Sequence, residues 1–296
     1  MKKRVAFFFT GELRNFMKVS ESHINFIDKE LYEVDFFILT WDTDNKNIID
    51  NVKNIYNPII FDFVNRENFK LNEKKYFIID DTGNWIVQNY FWFKLFLLFK
   101  EYKIKNKVNY DKIIRTRPDI LLINKSLNFS NIHNDVLYSW YEKCPKCGKV
   151  PFGHKYPNSK NIVNDFIIKH IKLKLNISDS ILDDFELTNI KQYINLDLLK
   201  VNDIKNTDIN SFCDWLNIGN FENTEIICST FLVVLLFLSN DIFPENFFFD
   251  GNNGKRILPL DYFIHINKVK TEILSNEYKH VVYKEEYFKQ YPGEWL

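Results

Sequence analysis

The chain has 296 residues, no net formal charge from 39 basic and 39 acidic residues, and an aromatic content of 17%. This length is enough for one large α/β domain or two small ones with a sizeable core. The balanced charge argues against a nucleic acid as partner, although a local basic site stays open. Four cysteines are too few for a secreted disulfide framework of this length, so we expect a reducing compartment.

Two apolar runs bear on a membrane location. The run after the basic residues 1–4 is short and is interrupted by Thr10, Gly11 and Glu12, so it does not fit a signal peptide. The longest run, residues 226–238, falls short of the roughly 20 residues that a membrane span needs. We therefore expect a cytoplasmic protein, and its association with the cytoplasmic face of a membrane stays open.

The first part of the chain alternates between apolar runs of strand length and segments with helical periodicity. The predicted elements are a strand at 4–10 that ends at Gly11, a helix at 16–32, a strand at 34–40 followed by Trp41 and Asp42, a helix at 45–56 and an extended segment at 59–64. Strands that alternate with helices in this way favour a parallel sheet covered by helices.

A long helix is predicted at 84–103, after the turn-forming residues 81–84. It is apolar almost all the way round, which suggests a helix enclosed within the domain. The next segment, 110–123, reads as a strand whose polar centre holds Arg115, Arg117 and Asp119. Pro118 cannot donate to a sheet ladder, so we expect strand pairing to stop there.

The second half of the sequence is less regular. We predict a strand at 135–141, a loop at 144–157 and helices at 161–175 and 222–239, with Asn223 or Thr224 as the cap of the last one. The remainder contains short mixed segments. No repeat, low-complexity linker or domain boundary is evident.

Polar residues follow three of the predicted strands. Gly11 and Arg14 follow the first, Trp41 and Asp42 the second, and the arginines and Asp119 interrupt the third. Ligands of open α/β sheets bind at the carboxyl ends of the strands. Arginine offers a planar fork for phosphate, and a carboxylate beside it can hold a divalent cation. A nucleotide diphosphate site is one interpretation, and a plain ion pair between Asp119 and an arginine is the other.

The segment Cys-Pro-Lys-Cys-Gly at 144–148 has the spacing of a zinc knuckle. Cys144, Cys147 and His154 are close enough in sequence to supply three ligands of a structural Zn²⁺ from one loop. The alternative is a loop that binds no metal, because no second C-x-x-C pair completes the site.

Three segments together resemble the WavE-like, RxRPD-motif glycosyltransferases of lipopolysaccharide and capsule synthesis, which occur in bacteria and some large viruses. They are FFFTGELRNF at the first strand, FFILTWD at the second and YDKIIRTRPDILL at the third. The resemblance covers residues 4–123. The order and spacing of the three segments make the set more specific than any one of them.

The resemblance implies a GT-A-like fold: a Rossmann-type, mostly parallel sheet flanked by helices, with a less regular and mainly helical carboxyl-terminal half. It implies one glycosyltransferase domain at 1–296, in which 1–123 bind the nucleotide-sugar donor and 124–296 form the acceptor side. The implied reaction moves a sugar from that donor to a glycan or lipid-linked saccharide.

The same resemblance implies roles for residues of the donor pocket. Gly11 and Arg14 would border the nucleotide, and Arg115 and Arg117 would face the diphosphate. Asp119 would take the place of the acidic motif that binds Mn²⁺ or Mg²⁺. The chain lacks a D-x-D sequence there, so the arginines could partly replace the cation.

Further residues are implied at the donor pocket and at the acceptor. Asp42 would lie at the donor pocket, and Trp41 beside it could stack on a sugar ring. Asp165, in Asn-Asp-Phe, and Glu225, at the start of a later helix, are candidates for the base that deprotonates the acceptor. A helix cap for Asp165 and a helix-dipole partner for Glu225 are the alternatives.

Two other functions stay open at this stage. A sugar-phosphate nucleotidyltransferase could use a similar sheet, but it usually needs a glycine-rich, basic loop after the first strand, and GELRNF is poor in glycine and lysine. A non-catalytic binding or scaffold protein with a zinc knuckle would be expected to carry a basic face, yet its lysines are scattered.

Overall fold

The computed structural model describes residues 2–43, 45–65, 82–122, 127–129, 132–139, 216–231, 270–273 and 280–282. Nine strands lie in these ranges. They are β1 (Lys3–Thr10), β2 (Tyr32–Trp41), β3 (Ile60–Val64), β4 (Lys112–Thr116), β5 (Ile120–Leu122), β6 (Val136–Ser139), β7 (Leu216–Gly219), β8 (Lys270–Ile273) and β9 (His280–Val282). Seven of them form one sheet in the order β3-β2-β1-β4-β7-β6-β8, and β5 pairs with β9.

The large sheet is mostly parallel. β1 pairs in parallel with β2 and β4, β2 with β3, and β6 with β8. Strand β7 alone among these seven runs against its neighbours β4 and β6. Because the first four strands run in the same direction, their carboxyl ends meet at one edge of the sheet, here called the carboxyl edge.

Helices cover both faces of this sheet. They are α1 (Phe16–Asn25), α2 (Lys46–Tyr56), α3 (Thr82–Asn106) and α4 (Phe221–Cys228). Alternation along β1 decides which residue meets which helix. Phe9 contacts Tyr56 of α2, with ring centroids 5.1 Å apart, whereas Phe8 contacts Phe99 of α3 at 5.0 Å. Helix α4 packs against α3 on that second face.

The core is centred on β1. Five consecutive residues, 5–9, are at most 1% exposed. An unbroken apolar run of this kind is typical of a parallel strand that is buried on both faces. Each fully buried Phe contributes about 1.5–3 kcal/mol of transfer free energy, so β1 is a main source of stability.

Pro118 marks the end of strand pairing, as the sequence predicts. β4 ends at Thr116, and the Ile120 amide donates to the Arg117 carbonyl at 3.3 Å in a tight turn. The chain then continues as β5, which leaves the large sheet and pairs antiparallel with β9. Arg117 and Asp119 are therefore held in a turn at the carboxyl edge.

The first helix is shorter than its apolar pattern predicts, since α1 ends at Asn25 and the prediction extends to 32. Ile27 forms a β-bridge with Leu127, which removes it from the helix. Asp28 then begins a turn, and its carbonyl accepts from the amides of Leu31 and Tyr32. Leu31, which fits the helical period, is 44% exposed in this turn.

The predicted α/β fold class, with a mostly parallel sheet flanked by helices, is confirmed. Strands β6, β7 and β8 come from the second half and extend the sheet begun by the first half. The predicted helix at 161–175 lies outside the described residues. In the described part of the chain, no helix is long and apolar enough to cross a membrane.

Candidate functional site

A pocket of about 260 Å³ lies at the carboxyl edge of the sheet, where β1, β2 and β4 end and the first turns of α3 approach them. The described residues that line it are Thr10, Gly11, Glu12, Arg14, Trp41, Gln88, Phe91, Arg117, Pro118 and Asp119. They come from four separate stretches of sequence. Eight of the ten lie at or just after strand ends, which the parallel strand order brings together, and Gln88 and Phe91 come from α3.

Gly11 forms the turn after β1. Its φ angle is +106°, in the left-handed region where a side chain would strain the backbone, and its amide donates to the Leu39 carbonyl at 3.1 Å. A Cβ atom here would meet nothing within 4 Å. The glycine is therefore required by backbone conformation, and it leaves open space beside the pocket.

Arg117 and Asp119 form a two-point ion pair at the mouth of the pocket. Nε of Arg117 donates to Oδ1 of Asp119 at 2.9 Å, and Nη2 donates to Oδ2 at 2.6 Å. The Asp119 side chain is 9% exposed and that of Arg117 is 33% exposed. The buried carboxylate therefore fixes the plane of a guanidinium that still reaches solvent.

Arg14 and Glu12 form a second ion pair on the pocket wall. The Arg14 side chain is 66% exposed, so reorienting it toward a ligand costs little. With the first pair, the described lining carries two cations and two carboxylates and is neutral overall. Because the net charge of the lining is zero, it gives no overall attraction for an anionic ligand. Such a ligand would be bound by the individual arginines, according to where they lie in the pocket.

Trp41 supplies an apolar wall. Its ring meets Phe91 of α3 edge-to-face, with centroids 4.7 Å apart. Asp42, the next residue, is exposed, and its backbone amide donates to the Val64 carbonyl at 2.9 Å. Asp42 is not among the described residues that line the pocket. The predicted pair is thus separated, with Trp41 at the pocket and Asp42 beside the end of β3.

The structure also separates the two arginines of the RTRPD motif. Arg115 lies within β4, so its side chain points onto a face of the sheet instead of projecting beyond the edge. It is 1% exposed, and its guanidinium carbon stands 3.3 Å from the centroid of the Trp92 ring in α3. Arg115 is not among the described lining residues. Its surroundings are those of a stacked, buried cation.

Glu225 belongs to α4 and lies on the same face of the sheet as Arg115, the face that α3 covers. Its Oε1 accepts from Nζ of Lys100 at 2.6 Å, and the two side chains are 11% and 18% exposed. Burial raises the pKa of the neighbouring Cys228 thiol to about 12, and the charges of Arg115 and Glu225 act on the thiol in opposite directions. We call Lys100, Arg115 and Glu225 the buried ionic cluster. Glu225 is thus placed between α3 and α4, apart from the described pocket lining.

Five predicted site residues therefore line one pocket: Gly11, Arg14, Trp41, Arg117 and Asp119. Thr10, Glu12, Gln88 and Phe91 line it as well, although the sequence analysis assigned them no role. Gln88 had a usable signal, because Gln88 and Asn89 are the first polar residues to interrupt the apolar body of this helical segment. Thr10, the final residue of β1, gave no such signal, because threonine is an ordinary residue in a strand.

Several predicted residues lie outside the described part of the chain. They are Asp165, the first candidate base, and Cys144, Cys147 and His154 of the zinc knuckle. Their roles stay predictions, and metal analysis of the purified protein would test the knuckle. Among the described residues, no group of three His, Cys, Asp or Glu side chains is arranged to hold a metal ion.

No family model matches the chain. No curated protein matches it either. Comparison with solved structures gives similarities at low sequence identity. The mannosyltransferase Ktr4p from S. cerevisiae is 10% identical, with a TM-score of 0.44 over 95% of this chain and 70% of its own.

Mouse xyloside xylosyltransferase 1 is 9% identical, with a TM-score of 0.40 over 93% of this chain and 85% of its own. The glycosyltransferase GlyE of Streptococcus pneumoniae is also 9% identical, with a TM-score of 0.35, and this chain covers 46% of its length. All three are glycosyltransferases by name. With TM-scores below 0.5, none of them decides what this chain does, and the function must be argued from the pocket.

Proposed function

We propose that this protein is a glycosyltransferase that moves a sugar from a nucleotide-sugar donor to a glycan or lipid-linked saccharide. The observation that supports this most is the pocket at the carboxyl edge. It gathers Gly11, Arg14, Trp41, Arg117 and Asp119, to which the motif resemblance assigns the donor. Surface polysaccharide assembly, such as that of lipopolysaccharide or capsule, is the context that the same resemblance suggests.

Arg117 is the group proposed to bind the diphosphate of the donor. Asp119 engages Nε and Nη2, which leaves Nη1 outside this ion pair. A guanidinium held in one plane loses little freedom when it binds a phosphate. Arg14, which also lines the pocket and is mostly exposed, can turn toward a second phosphate.

Bond cleavage at the anomeric carbon leaves negative charge on the departing nucleoside diphosphate. Cations at that position stabilise the charge as it develops, and we assign this role to Arg117, which Asp119 holds in place, and to Arg14 once it has turned toward the ligand. The acceptor hydroxyl must lose a proton as it attacks. Glu225 is paired with Lys100 in the buried ionic cluster, so Asp165 is the base that we propose.

We propose that a divalent cation binds at the carboxylates of the described lining. Mg²⁺ at phosphate sites usually takes one or two protein carboxylates and completes its shell with phosphate oxygens and water. Asp119 and Glu12 are two such carboxylates. An ion bound there would neutralise charge on the departing diphosphate. Both oxygens of Asp119 contact Arg117, so Asp119 would have to be shared between the arginine and the metal.

The test is donor hydrolysis across a panel of nucleotide sugars, with and without Mn²⁺ or Mg²⁺. We expect the wild type to hydrolyse one donor slowly and Asp119→Asn to lose most of this activity. Asp50→Asn is the matched control, because Asp50 is exposed on α2 and outside the described pocket lining. The proposal fails if no donor is hydrolysed, or if both variants behave alike. Release of pyrophosphate from a nucleoside triphosphate and a sugar phosphate would instead indicate nucleotidyl transfer.

A further inference from the structure

Two polar side chains of the pocket have no role in the mechanism above. Oγ1 of Thr10 and Nε2 of Gln88 are buried atoms, and neither has a hydrogen-bond partner among the described residues. Thr10 is 3% exposed. Both residues line the pocket.

The two side chains approach the pocket from different elements but from the same side of the sheet. Thr10 lies two residues after Phe8 in β1, so both side chains point to the same face of the sheet. Phe8 faces α3, because its ring contacts Phe99 at 5.0 Å. Gln88 belongs to α3, one turn before Phe91, whose ring contacts Trp41. The hydroxyl and the amide therefore border the part of the pocket that lies under α3.

Buried polar atoms without partners are rare, because each gives up hydrogen bonds to water and receives nothing in return. Where such atoms line a pocket, a ligand can supply the missing hydrogen bonds. The neighbouring rings of Trp41 and Phe91 make this wall apolar, which strengthens any hydrogen bond formed against it.

We propose that Thr10 and Gln88 determine specificity by binding an uncharged, hydrogen-bonding group of the donor, while Arg117 binds its diphosphate. This proposal rests on the proposed function. The amide nitrogen donates, and the hydroxyl donates or accepts, so the ligand group must present at least one acceptor. The edge of a nucleobase and the hydroxyls of the transferred sugar both have this chemistry.

Isothermal titration can test this with inorganic pyrophosphate, UDP, GDP, CDP, ADP and the matching nucleotide sugars. The variants are Thr10→Val and Gln88→Leu, which remove the polar group at similar volume. Thr40→Val is the control. Thr40 is buried near the carboxyl end of β2, as Thr10 is at that of β1, but it is not among the described lining residues. Thr10→Ser keeps the hydroxyl and should keep the affinity, and Gln88→Met replaces Gln88→Leu if that variant does not fold.

We expect Thr10→Val and Gln88→Leu each to bind the preferred ligand about tenfold more weakly than the wild type does. Both variants should bind pyrophosphate with the affinity of the wild type. A loss that is already present with a nucleoside diphosphate assigns the pair to the nucleoside, through its base or its ribose hydroxyls. A loss confined to the nucleotide sugar assigns the pair to the sugar.

This inference is overturned if both variants bind every ligand with wild-type affinity. It is also overturned if they lose as much affinity for pyrophosphate as for the preferred ligand. Either result leaves the proposed function unaffected. If the wild type binds no member of the panel, the donor site itself is refuted, and the specificity role fails with it.

Discussion

At the scale of single residues, His23 connects α1 to the turn that carries the candidate site. It is 1% exposed. Its Nε2 lies 2.6 Å from the Ile120 carbonyl and its Nδ1 lies 2.9 Å from the Tyr56 hydroxyl. A carbonyl can only accept, so Nε2 carries the proton and Nδ1 accepts from Tyr56. The neutral imidazole thus fixes the residue directly after Asp119.

Burial lowers the pKa of His23 from 6.5 to about 4, against the opposite effect of the Ile120 hydrogen bond. The unfolded chain therefore binds more protons between these values, and stability is lost as pH falls from 6.5 toward 4. We expect unfolding free energy to be about 2 kcal/mol lower at pH 5 than at pH 7 from this residue alone. Urea titrations of wild type and His23→Gln at both pH values measure it. Equal pH dependence in the two proteins would contradict this account.

The buried ionic cluster is expected to stabilise the interface between α3 and α4. Lys100→Met removes the cation that lies 2.6 Å from Glu225 and leaves Arg115 as the other cation of the cluster, and we expect a loss of about 2–3 kcal/mol in unfolding free energy. Glu225→Gln in the same chain should restore at least half of this loss, because it removes the buried carboxylate charge that has lost its ion-pair partner. Denaturant unfolding of the two single variants and the double variant provides the cycle. Additive effects would show that the pair is not coupled.

Arg115 and Arg117 show how far a motif can be interpreted without a structure. Sequence indicates that both arginines follow an apolar strand. The sequence does not fix the last residue of the strand to within two positions. That position decides whether a side chain packs on a face of the sheet or projects beyond its carboxyl edge. Arg117 lies beyond Thr116 and reaches the pocket, whereas Arg115 lies within the strand and stacks on Trp92.

At the scale of elements, the helix starts show which boundaries are encoded locally. Asn45 caps α2, and its side chain accepts from the Ile48 amide at 3.3 Å. Asn15 precedes α1 at φ 50° without a side-chain cap bond. The start of α2 could therefore be predicted to within a residue. The end of α1 could not, because it depends on the bridge between Ile27 and Leu127, about 100 residues apart.

Asn45→Ala should lower unfolding free energy by about 1 kcal/mol, since it removes this cap. Asn54→Ala is the control, because Asn54 is exposed in the body of α2, where alanine favours helix. Thermal and urea unfolding of both variants measure the difference. A loss that is equal in the two, or larger in Asn54→Ala, would show that the cap bond does not hold the start of the helix.

At the scale of the whole molecule, the central strand β1 and the strand β3 lie in different surroundings. β1 has parallel partners on both sides and a fully buried apolar run, whereas β3 has one partner strand among the described residues and is mostly half-buried. We expect amide exchange in β1 to be slower than in β3 by about a hundredfold or more. Hydrogen exchange read by mass spectrometry checks this. Comparable exchange in the two strands would mean that the sheet does not open from the β3 side.

The parallel part of the sheet could be predicted because strands and helices follow one another in sequence, and five residues of the pocket lining could be named because polar residues follow the strands. The antiparallel strand β7 could not be predicted, since its four residues, 216–219, carry little local pattern and gain their order from pairing with β4 and β6. The cap of α4 shows the same limit. It is Asn220, directly after this strand, instead of Asn223 or Thr224.

The central claim is that the carboxyl-edge pocket binds a nucleoside diphosphate through Arg117. The most direct measurement is calorimetric titration of UDP, GDP, CDP and ADP into wild type, Arg117→Gln and Lys53→Gln, the last removing an exposed cation from α2. We expect one diphosphate to bind the wild type and Lys53→Gln equally, and to bind Arg117→Gln at least about tenfold more weakly. Equal binding to all three proteins, or no binding to the wild type, would contradict the claim.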